Sequence, residues 1–588
     1  MTIGTILAVP QISRNISIHL RQHDLTQCVR VSQAWHNTLT PHLWSLVKGF
    51  NIRHFQSSEA RAALLKNGHF IRVLKTSSHE FLTYLGPSCE NLTMFDFSGS
   101  FPLEGHEDGY VISTDGPSPE QPQQHQNDSG ENNSDQQQHM TQQQQKLGVM
   151  ASFLLQNKNL TTLSFRRRVD SSRYIDRLLT DYQILERLPN LKDLTLSSKT
   201  LHSSALVIIL RYGQKLERLV LKIRQVDWQI RFSNQEMAAI LRETAAQPWK
   251  LRDLLLGPAL GLDIAMVVKA AGASLQWLRL ERLSLHEARE LSQVVRDHCP
   301  NLEHLLIMTD NQIDKNGLML LLDATAPTQP RQQNKALIKQ HDPSPLNKPD
   351  PLALESPRTS GLTNFQGHAL VLPDFLIHRL FGNHYATLEI LDLSRCQGIR
   401  SETLQQILCR CPNLRVVDMA SEHLTLETKD IVYGQPWVCH KLKILRVEIA
   451  SSPPPYGDIA PLLLTYNGEH DTEHATQENT EMELQRRVLA QIGTLSRMEE
   501  LRIGGPNGRS MDLTLGGGGL EQLSGLKLMR TLNVRNMGHK VGQQELEWMV
   551  EHWPMVRCFM FDDYNVDMID MERVRALQRA KRQGVYIV

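Results

Sequence analysis

The chain has 588 residues, and its 63 Lys and Arg residues balance 63 Asp and Glu residues, so the formal net charge is zero. A single hydrophobic core rarely grows past about 250–300 residues, so this length predicts either several domains or one repeat array. A protein whose main partner is nucleic acid usually carries a basic surplus, so the balanced charge argues against nucleic acid as the main partner.

The cysteine pattern and the N-terminus indicate the compartment. The eight cysteines are sparse and irregularly spaced for a disulfide framework. The first residues, MTIGTILAVPQ, place no basic region before a short apolar run, so we expect no signal peptide. Because no apolar run approaches the ~18 residues of a membrane span, we expect no membrane partner. Reduced thiols then indicate the cytoplasm and/or the nucleus.

Residues 1–48 are predicted to form a small module of three short helices. Pro10 suits the start of the first helix, Asp24 suits the cap of the second, and Pro41 is expected to end the third. Apolar residues recur at the spacing of one helical face in the first helix, at Ile12, Ile16 and Leu20.

The order of the residues in this module resembles an F-box. The matching positions are Pro10, Asp24-Leu25, Cys28, Val31, Trp35 and Leu43-Trp44, whereas Val9 and Ser32 depart from the family pattern. The resemblance implies docking on the adaptor subunit of a cullin–RING (SCF-type) ubiquitin ligase. The residues then expected at or beneath that interface are Pro10, Ile12, Ile16, Leu20, Leu25, Val31 and Leu43. The alternative is a plain helical cap on the rest of the chain; both interpretations require Ile16, Leu20 and Trp35 to be buried.

Three polar stretches interrupt the chain: a Gln-rich one at 104–146, a Pro-rich one at 325–361 and a third at 451–481. They contain too few apolar residues to offset the entropy of ordering, so we predict disordered insertions. The remaining segments are predicted to hold repeats, the last of them with a C-terminal cap: residues 49–103, 147–324, 362–450 and 482–588.

One motif, Leu-x-x-Leu-x-Leu or a close variant, recurs in these segments, for example as NLKDLTL at Asn190, SLQWLRL at Ser274 and TLEILDL at Thr387. Neighbouring motifs mostly lie about 24–28 residues apart, within the ~20–29-residue period of leucine-rich repeats. Alternation along a strand directs Leu391 and Leu393 inward, and apolar residues at helical spacing follow. Each strand–helix unit needs a neighbour to cover its flank, so we predict an α/β leucine-rich-repeat solenoid, a horseshoe, preceded by the three-helix module.

The repeat from Thr387 to Leu414 resembles the cysteine-containing subclass of leucine-rich repeats. It matches that subclass at Leu388, Leu391, Leu393, Cys396, Ile399, Leu404, Cys411, Pro412 and Leu414. This subclass is typical of F-box/leucine-rich-repeat proteins. The resemblance implies a substrate adaptor: the F-box docks on the ligase, and the repeats capture a protein substrate that the sequence does not identify.

Outward residues of the strands are the candidate substrate-binding residues: Arg218, Trp277, Arg279, Glu281, His304, Asp392, Arg446 and Arg502. Trp277 beside Arg279 is the pair to test first, because Trp and Arg are frequent binding hot spots. For any one of these residues, the alternative is an ordinary solvated sheet face.

The candidate motifs for catalysis or metal binding lack the residues that such sites need. Gly516–Gly519 lacks the Lys-Ser/Thr of a phosphate-binding loop, and His470 and His474 lie in a polar stretch without support for a metal. We therefore predict no catalytic residue, no metal and no cofactor, and a chain that is not an enzyme. The alternatives to a ligase adaptor are a ligase-independent protein-binding scaffold and a nucleic-acid binder that uses the basic strand residues.

Overall fold

The structure is a computed structural model, and the chain divides into two compact units, Met1–Ser274 and Leu275–Val588. No helix in the described part of the chain is both long and apolar enough to cross a membrane. The structure describes residues 10–50, 57–99, 132–169, 172–227, 239, 249–257, 264–281, 283, 285–308, 315–327, 361–420, 424–450, 470–504, 511–534, 541–560 and 586–587.

The first unit begins with the three expected helices, Pro10–His19, Gln22–Cys28 and Gln33–Ser45. Ser32, a departure from the family pattern, caps the third helix: its Oγ accepts from the backbone N of Trp35 at 3.2 Å.

Two details of these helices differ from expectation. Asp24 is not the cap of the second helix; Arg21 is, and the backbone N of Arg21 donates to Oδ2 of Asp24 at 3.2 Å. Pro41 does not end the third helix but lies inside it. Proline removes one backbone hydrogen bond, and the complete burial of the apolar side chain of Leu39 helps to offset that loss.

The first unit continues as a parallel sheet in which each strand pairs with the next in sequence. The strands are β1 Leu46–Phe50, β2 Val73–Thr76, β3 Met94–Phe97, β4 Thr162–Val169, β5 Asp193–His202, β6 Arg218–Asp227 and β7 Asp253–Leu256. The helices between and after them are Ser58–Asn67, His79–Leu85, Asn132–Gln156, Ser172–Thr180, Ile184–Arg187, Ser203–Tyr212 and Ile264–Ala271, with short helical turns at Gly68–Phe70, Gly86–Ser88, Gly213–Lys215 and Gly272–Ser274.

The second unit repeats this arrangement, with parallel strands again in one sheet. In order they are β8 Trp277–Leu280, β9 His304–Met308, β10 Asn364–His368, β11 Ile390–Asp392, β12 Val416–Asp418, β14 Ile444–Arg446, β16 Glu500–Arg502, β17 Thr531–Asn533, β18 Cys558–Met560 and β19 Tyr586–Ile587; β13 Thr425–Glu427 and β15 Glu448–Ala450 form a separate pair. The helices are Leu285–His298, Lys315–Ala324, Asp374–His384, Ser401–Arg410, Thr428–Tyr433, His470–Gly493 and Gln543–His552, with a 3-10 helix at Leu520–Gly525.

Every Leu-x-x-Leu-x-Leu motif quoted above carries a strand, as NLKDLTL carries β5 and TLEILDL carries β11. Leu391 and Leu393 are fully buried, as alternation predicts. The asparagine that opens several motifs fastens one repeat to the preceding one: Nδ2 of Asn190 donates to the Lys158 carbonyl at 3.1 Å and Nδ2 of Asn413 to the Ala386 carbonyl at 2.7 Å. The parallel stacked units fit the predicted α/β leucine-rich-repeat solenoid.

One repeat escaped sequence analysis because a glycine stands where the motif has its last leucine. Strand β10 follows Leu362 and contains Phe365 and Gly367. A Cβ on Gly367 would lie 2.9 Å from Cδ1 of Leu370 and 3.4 Å from Sγ of Cys396. These two side chains therefore fill the space that a leucine would occupy, and the repeat keeps its core with a different residue pattern.

Two insertions are partly helical where we expected disorder. The helix Asn132–Gln156 includes residues 132–146, and the helix His470–Gly493 includes residues 470–481. The C-terminal parts of these helices are buried, for example at Leu154 and Leu489, and propagation from a formed helix costs little per residue. Most of the insertions and the region before β19 lie outside the described residues, so the domain boundaries stay predictions.

The cysteines act as small core residues. All eight lie in the described part of the chain, and none forms a disulfide. Burial raises the thiol pKa of Cys396, Cys411 and Cys439 to about 12, so these thiols stay protonated at neutral pH.

Candidate protein-binding surfaces

The first helix turns an apolar face toward solvent. Ser13 and Ser17 are its buried residues, whereas Ile12, Ile16 and Ile18 are exposed. The expectation that Ile16 is buried is therefore wrong. The helix packs on Gln33–Ser45, and serine side chains are small enough to permit a close approach. Their hydroxyls can still be satisfied inside the helix, because Oγ of Ser17 donates to the Arg14 carbonyl at 2.8 Å.

The other expected ligase-contact residues are divided between core and surface. Leu25 is buried, Leu20 and Leu43 are half-buried, and Val31 is 66% exposed. Leu20, Leu25 and Leu43 line one groove of about 710 Å³. Trp35 is half-buried rather than core, and Pro10 starts the first helix, with its side chain outside the described residues.

The sheet face of the first unit carries Arg218 between two carboxylates. Nη1 of Arg218 lies 3.5 Å from Oδ2 of Asp193, and Nε lies 3.1 Å from Oδ2 of Asp253. Burial raises the pKa of Asp193, although Arg218 opposes that shift. Arg218 is thus a cation on β6 whose charge is balanced by two carboxylates on neighbouring strands.

An aromatic pair lies on the first two strands of the second unit. The rings of Trp277 and His304 stack with centroids 3.5 Å apart, and Cζ of Arg279 lies 5.2 Å from the Trp277 centroid. Burial, helped by the charge of Arg279, lowers the pKa of His304 to about 4. Trp277, Arg279 and His304 are therefore brought together as a flat, half-buried surface, and His304 is neutral at pH 7. Glu281 is half-buried directly after β8.

Further along this sheet, the predicted residues Asp392 and Arg446 each meet charged or polar neighbours. Nη1 of Arg446 lies 2.8 Å from Asp418 and its Nε lies 2.7 Å from Glu500. Bonding to Glu500 in particular raises the pKa of Arg446. Asp392 accepts from the backbone N of Ser394 at 2.9 Å.

Sequence analysis missed a second row of charges, those immediately before each strand. Alternation from the buried leucines assigns an outward direction only to residues inside a strand. The residues that precede each strand were therefore not predicted to face outward. Its members include Glu389, Arg415, Lys443, Glu499 and Arg530, which help to line a cleft of about 430 Å³.

This second row is also joined across strands. Nζ of Lys443 lies 2.8 Å from Glu499, and Nη1 of Arg530 lies 3.4 Å from the same carboxylate. The hydrogen bond from Lys443 is the main reason that the pKa of Glu499 is lowered. Arg415 lies 3.3 Å from Glu389.

These faces can recognise a partner by hydrogen bonds, ion pairs and aliphatic contact. Among the residues that the structure describes, no group of three or more His, Cys, Asp and Glu side chains is placed to hold a metal ion.

Comparisons with known proteins give no family. No family model matches the sequence, and no curated protein matches it. An internalin structure from Listeria monocytogenes is 10% identical and is matched over 89% of this chain and 94% of that chain, with a TM-score of 0.27. A structure of the Rad7 and Elc1 complex in yeast is 12% identical, over 100% and 98% of the two chains, with a TM-score of 0.33. Neither similarity defines the fold or the function of this chain.

Proposed function

We propose that this chain is a substrate-recognition adaptor of a cullin–RING (SCF-type) ubiquitin ligase. The N-terminal helices dock on the adaptor subunit of the ligase, and the sheet faces of the repeats bind a protein substrate. The F-box-like order of residues from Pro10 to Trp44 supports the first role. The chain contributes binding and no catalysis, and it acts in the cytoplasm and/or nucleus, in keeping with cysteines that form no disulfide.

The observation that carries the proposal is the apolar outward face of the first helix. Ile12 and Ile16, one turn apart on the same face of the helix, are each 38% exposed, and two serines occupy the buried side. Clustered apolar side chains on a surface mark an interaction site. A helix that only capped the repeats would gain stability by turning these isoleucines inward, so their outward position favours a partner that covers them.

The sheet faces support the substrate role. Arg218 and Arg446 are each held between two carboxylates. Side chains fixed in this way lose less entropy when a partner binds.

Ile16→Asp tests the docking role. Purified full-length chain is mixed with the purified ligase adaptor subunit, and the complex is measured by affinity capture. We expect Ile16→Asp to reduce capture at least about tenfold, which corresponds to about 1.4 kcal/mol. Asn15→Asp is the matched control, because Asn15 is exposed on the same helix and the change adds the same charge; capture should be retained. Failure of the unaltered chain to bind, or normal capture of Ile16→Asp, would remove the proposal.

A ligase-independent scaffold is the second candidate. The helix Gln33–Ser45 packs on the turn Gly68–Phe70 of the first repeat, as a structural cap would. This candidate predicts that the full chain binds a protein partner through its repeats while the adaptor subunit is not captured at all.

A further inference from the structure

In the main sheet of the second unit, six neighbouring strands, β8–β12 and β14, each begin with an uncharged residue on the outward face. These residues face one another in register: Trp277, His304, Asn364, Ile390, Val416 and Ile444. We call this row the apolar track. Asn364 is buried and the others are half-buried, so the track is a shallow surface whose exposed atoms are largely aromatic and aliphatic.

The length of the apolar track suits a short extended peptide. Adjacent strands lie about 4.8 Å apart, so six strands span about 24 Å, and an extended chain advances about 3.3 Å per residue. About seven residues of a peptide that crosses the strands would therefore cover the track. Charged side chains on both sides of it, such as Arg415 and Asp418, limit the apolar contact to one chain's width.

The three strands that continue the sheet carry an excess of positive charge. Arg502 lies on β16, while Arg530 and Arg557 directly precede the paired residues Thr531 and Cys558. We call these three arginines the arginine patch. Arg502 and Arg557 form no ion pair with any residue in the described ranges.

The carboxylates nearest the arginine patch are already engaged. Glu499 accepts from Lys443 and also meets Arg530, and Glu500 is paired with Arg446. Arg530 and Arg557 are like charges at the starts of adjacent strands, where the backbone N of Arg557 donates to the Arg530 carbonyl at 2.8 Å, and like charges directly opposite one another are unfavourable. An incoming carboxylate would relieve it and would pair favourably with the guanidinium groups.

We propose that this face binds an extended segment of a partner protein in which apolar side chains adjoin acidic ones. The apolar side chains lie on Ile390, Val416 and Ile444, and the acidic side chains meet the arginine patch. The inference rests on the proposed function, because it names the substrate class that the adaptor would recognise.

The test is selection from a phage-displayed library of random twelve-residue peptides on the full-length chain, followed by fluorescence anisotropy with the enriched peptides. We expect enriched peptides to combine an apolar run with two or more acidic residues. Arg530→Glu together with Arg557→Glu should weaken their binding about tenfold or more. The same double variant should regain affinity for peptides whose acidic residues are replaced by Lys, a result that general damage to the fold would not produce.

Arg410→Glu is the control for a change of surface charge, because Arg410 is exposed on the helix Ser401–Arg410; its peptide affinity should stay within about twofold. The inference is overturned if no peptide is enriched, if the enriched peptides lack acidic residues, or if the face instead binds single-stranded RNA with steep salt dependence. Capture of the ligase adaptor subunit is measured on the same samples. Normal capture without peptide selection removes this inference alone, whereas peptide binding without capture removes only the ligase role.

Discussion

Leu391→Ala should lower the free energy of unfolding by ~3–5 kcal/mol. Leu391 is fully buried in β11, in register with Phe365 and Val417, which are also buried. Three carbon atoms are lost, which costs ~2.4 kcal/mol at ~0.8 kcal/mol per buried methylene. The substitution also leaves a cavity, and the neighbouring repeats on both sides prevent that cavity from collapsing. The loss in free energy of unfolding should therefore lie in the upper part of the ~2–5 kcal/mol range for such changes.

The assay is guanidinium denaturation followed by circular dichroism, with hydrogen exchange of the β11 and β12 amides as a local measure, because repeat arrays can unfold in parts. Ile390→Ala is the matched control on the same strand; its side chain is half-buried and faces outward, so we expect a cost of ~1 kcal/mol. A cost for Leu391→Ala below ~0.5 kcal/mol, the range of ordinary surface changes, would refute the inward assignment.

Three further outcomes are expected. Deleting Gln121–Gln145 should leave the melting temperature nearly unchanged, because Leu147 is the first side chain described as buried in the helix Asn132–Gln156; a large drop would show that the deleted stretch is structural. Cys411, with its thiol pKa raised to about 12 by burial, should resist iodoacetamide at pH 8 until the protein is unfolded; rapid labelling of the native protein would contradict this. His304 has its pKa lowered from 6.5 to about 4, so the unfolded state binds the proton first and stability falls as the pH drops from 6.5 to 4. In melting curves across this pH range, His304→Gln should make the loss of stability at low pH smaller. His286→Gln, a change at an exposed site, should leave that loss unchanged. Equal effects of the two substitutions would exclude burial of His304 as the cause.

The repeated strands could be predicted because their signal is local. Each inward leucine, such as Leu391, is set by alternation within a few residues. Strand β10 could not, because Leu370 and Cys396 replace a leucine at Gly367 through contacts made only in the folded chain.

The candidate surfaces were predictable only in part. Helical spacing grouped Ile12 and Ile16 on one face, but it could not show that Ser13 and Ser17 form the buried side. Similarly, strand alternation found Arg446 but not its partner Glu500, since ion pairs across neighbouring repeats depend on the register of the sheet.

The most direct test of the ligase role is light scattering coupled to size-exclusion chromatography, with the purified full chain and the ligase adaptor subunit. We predict a complex of one copy of each, formed by the full chain and absent when residues 1–45 are removed. Separate elution of the intact proteins, or a complex that survives removal of those residues, would contradict the proposed function.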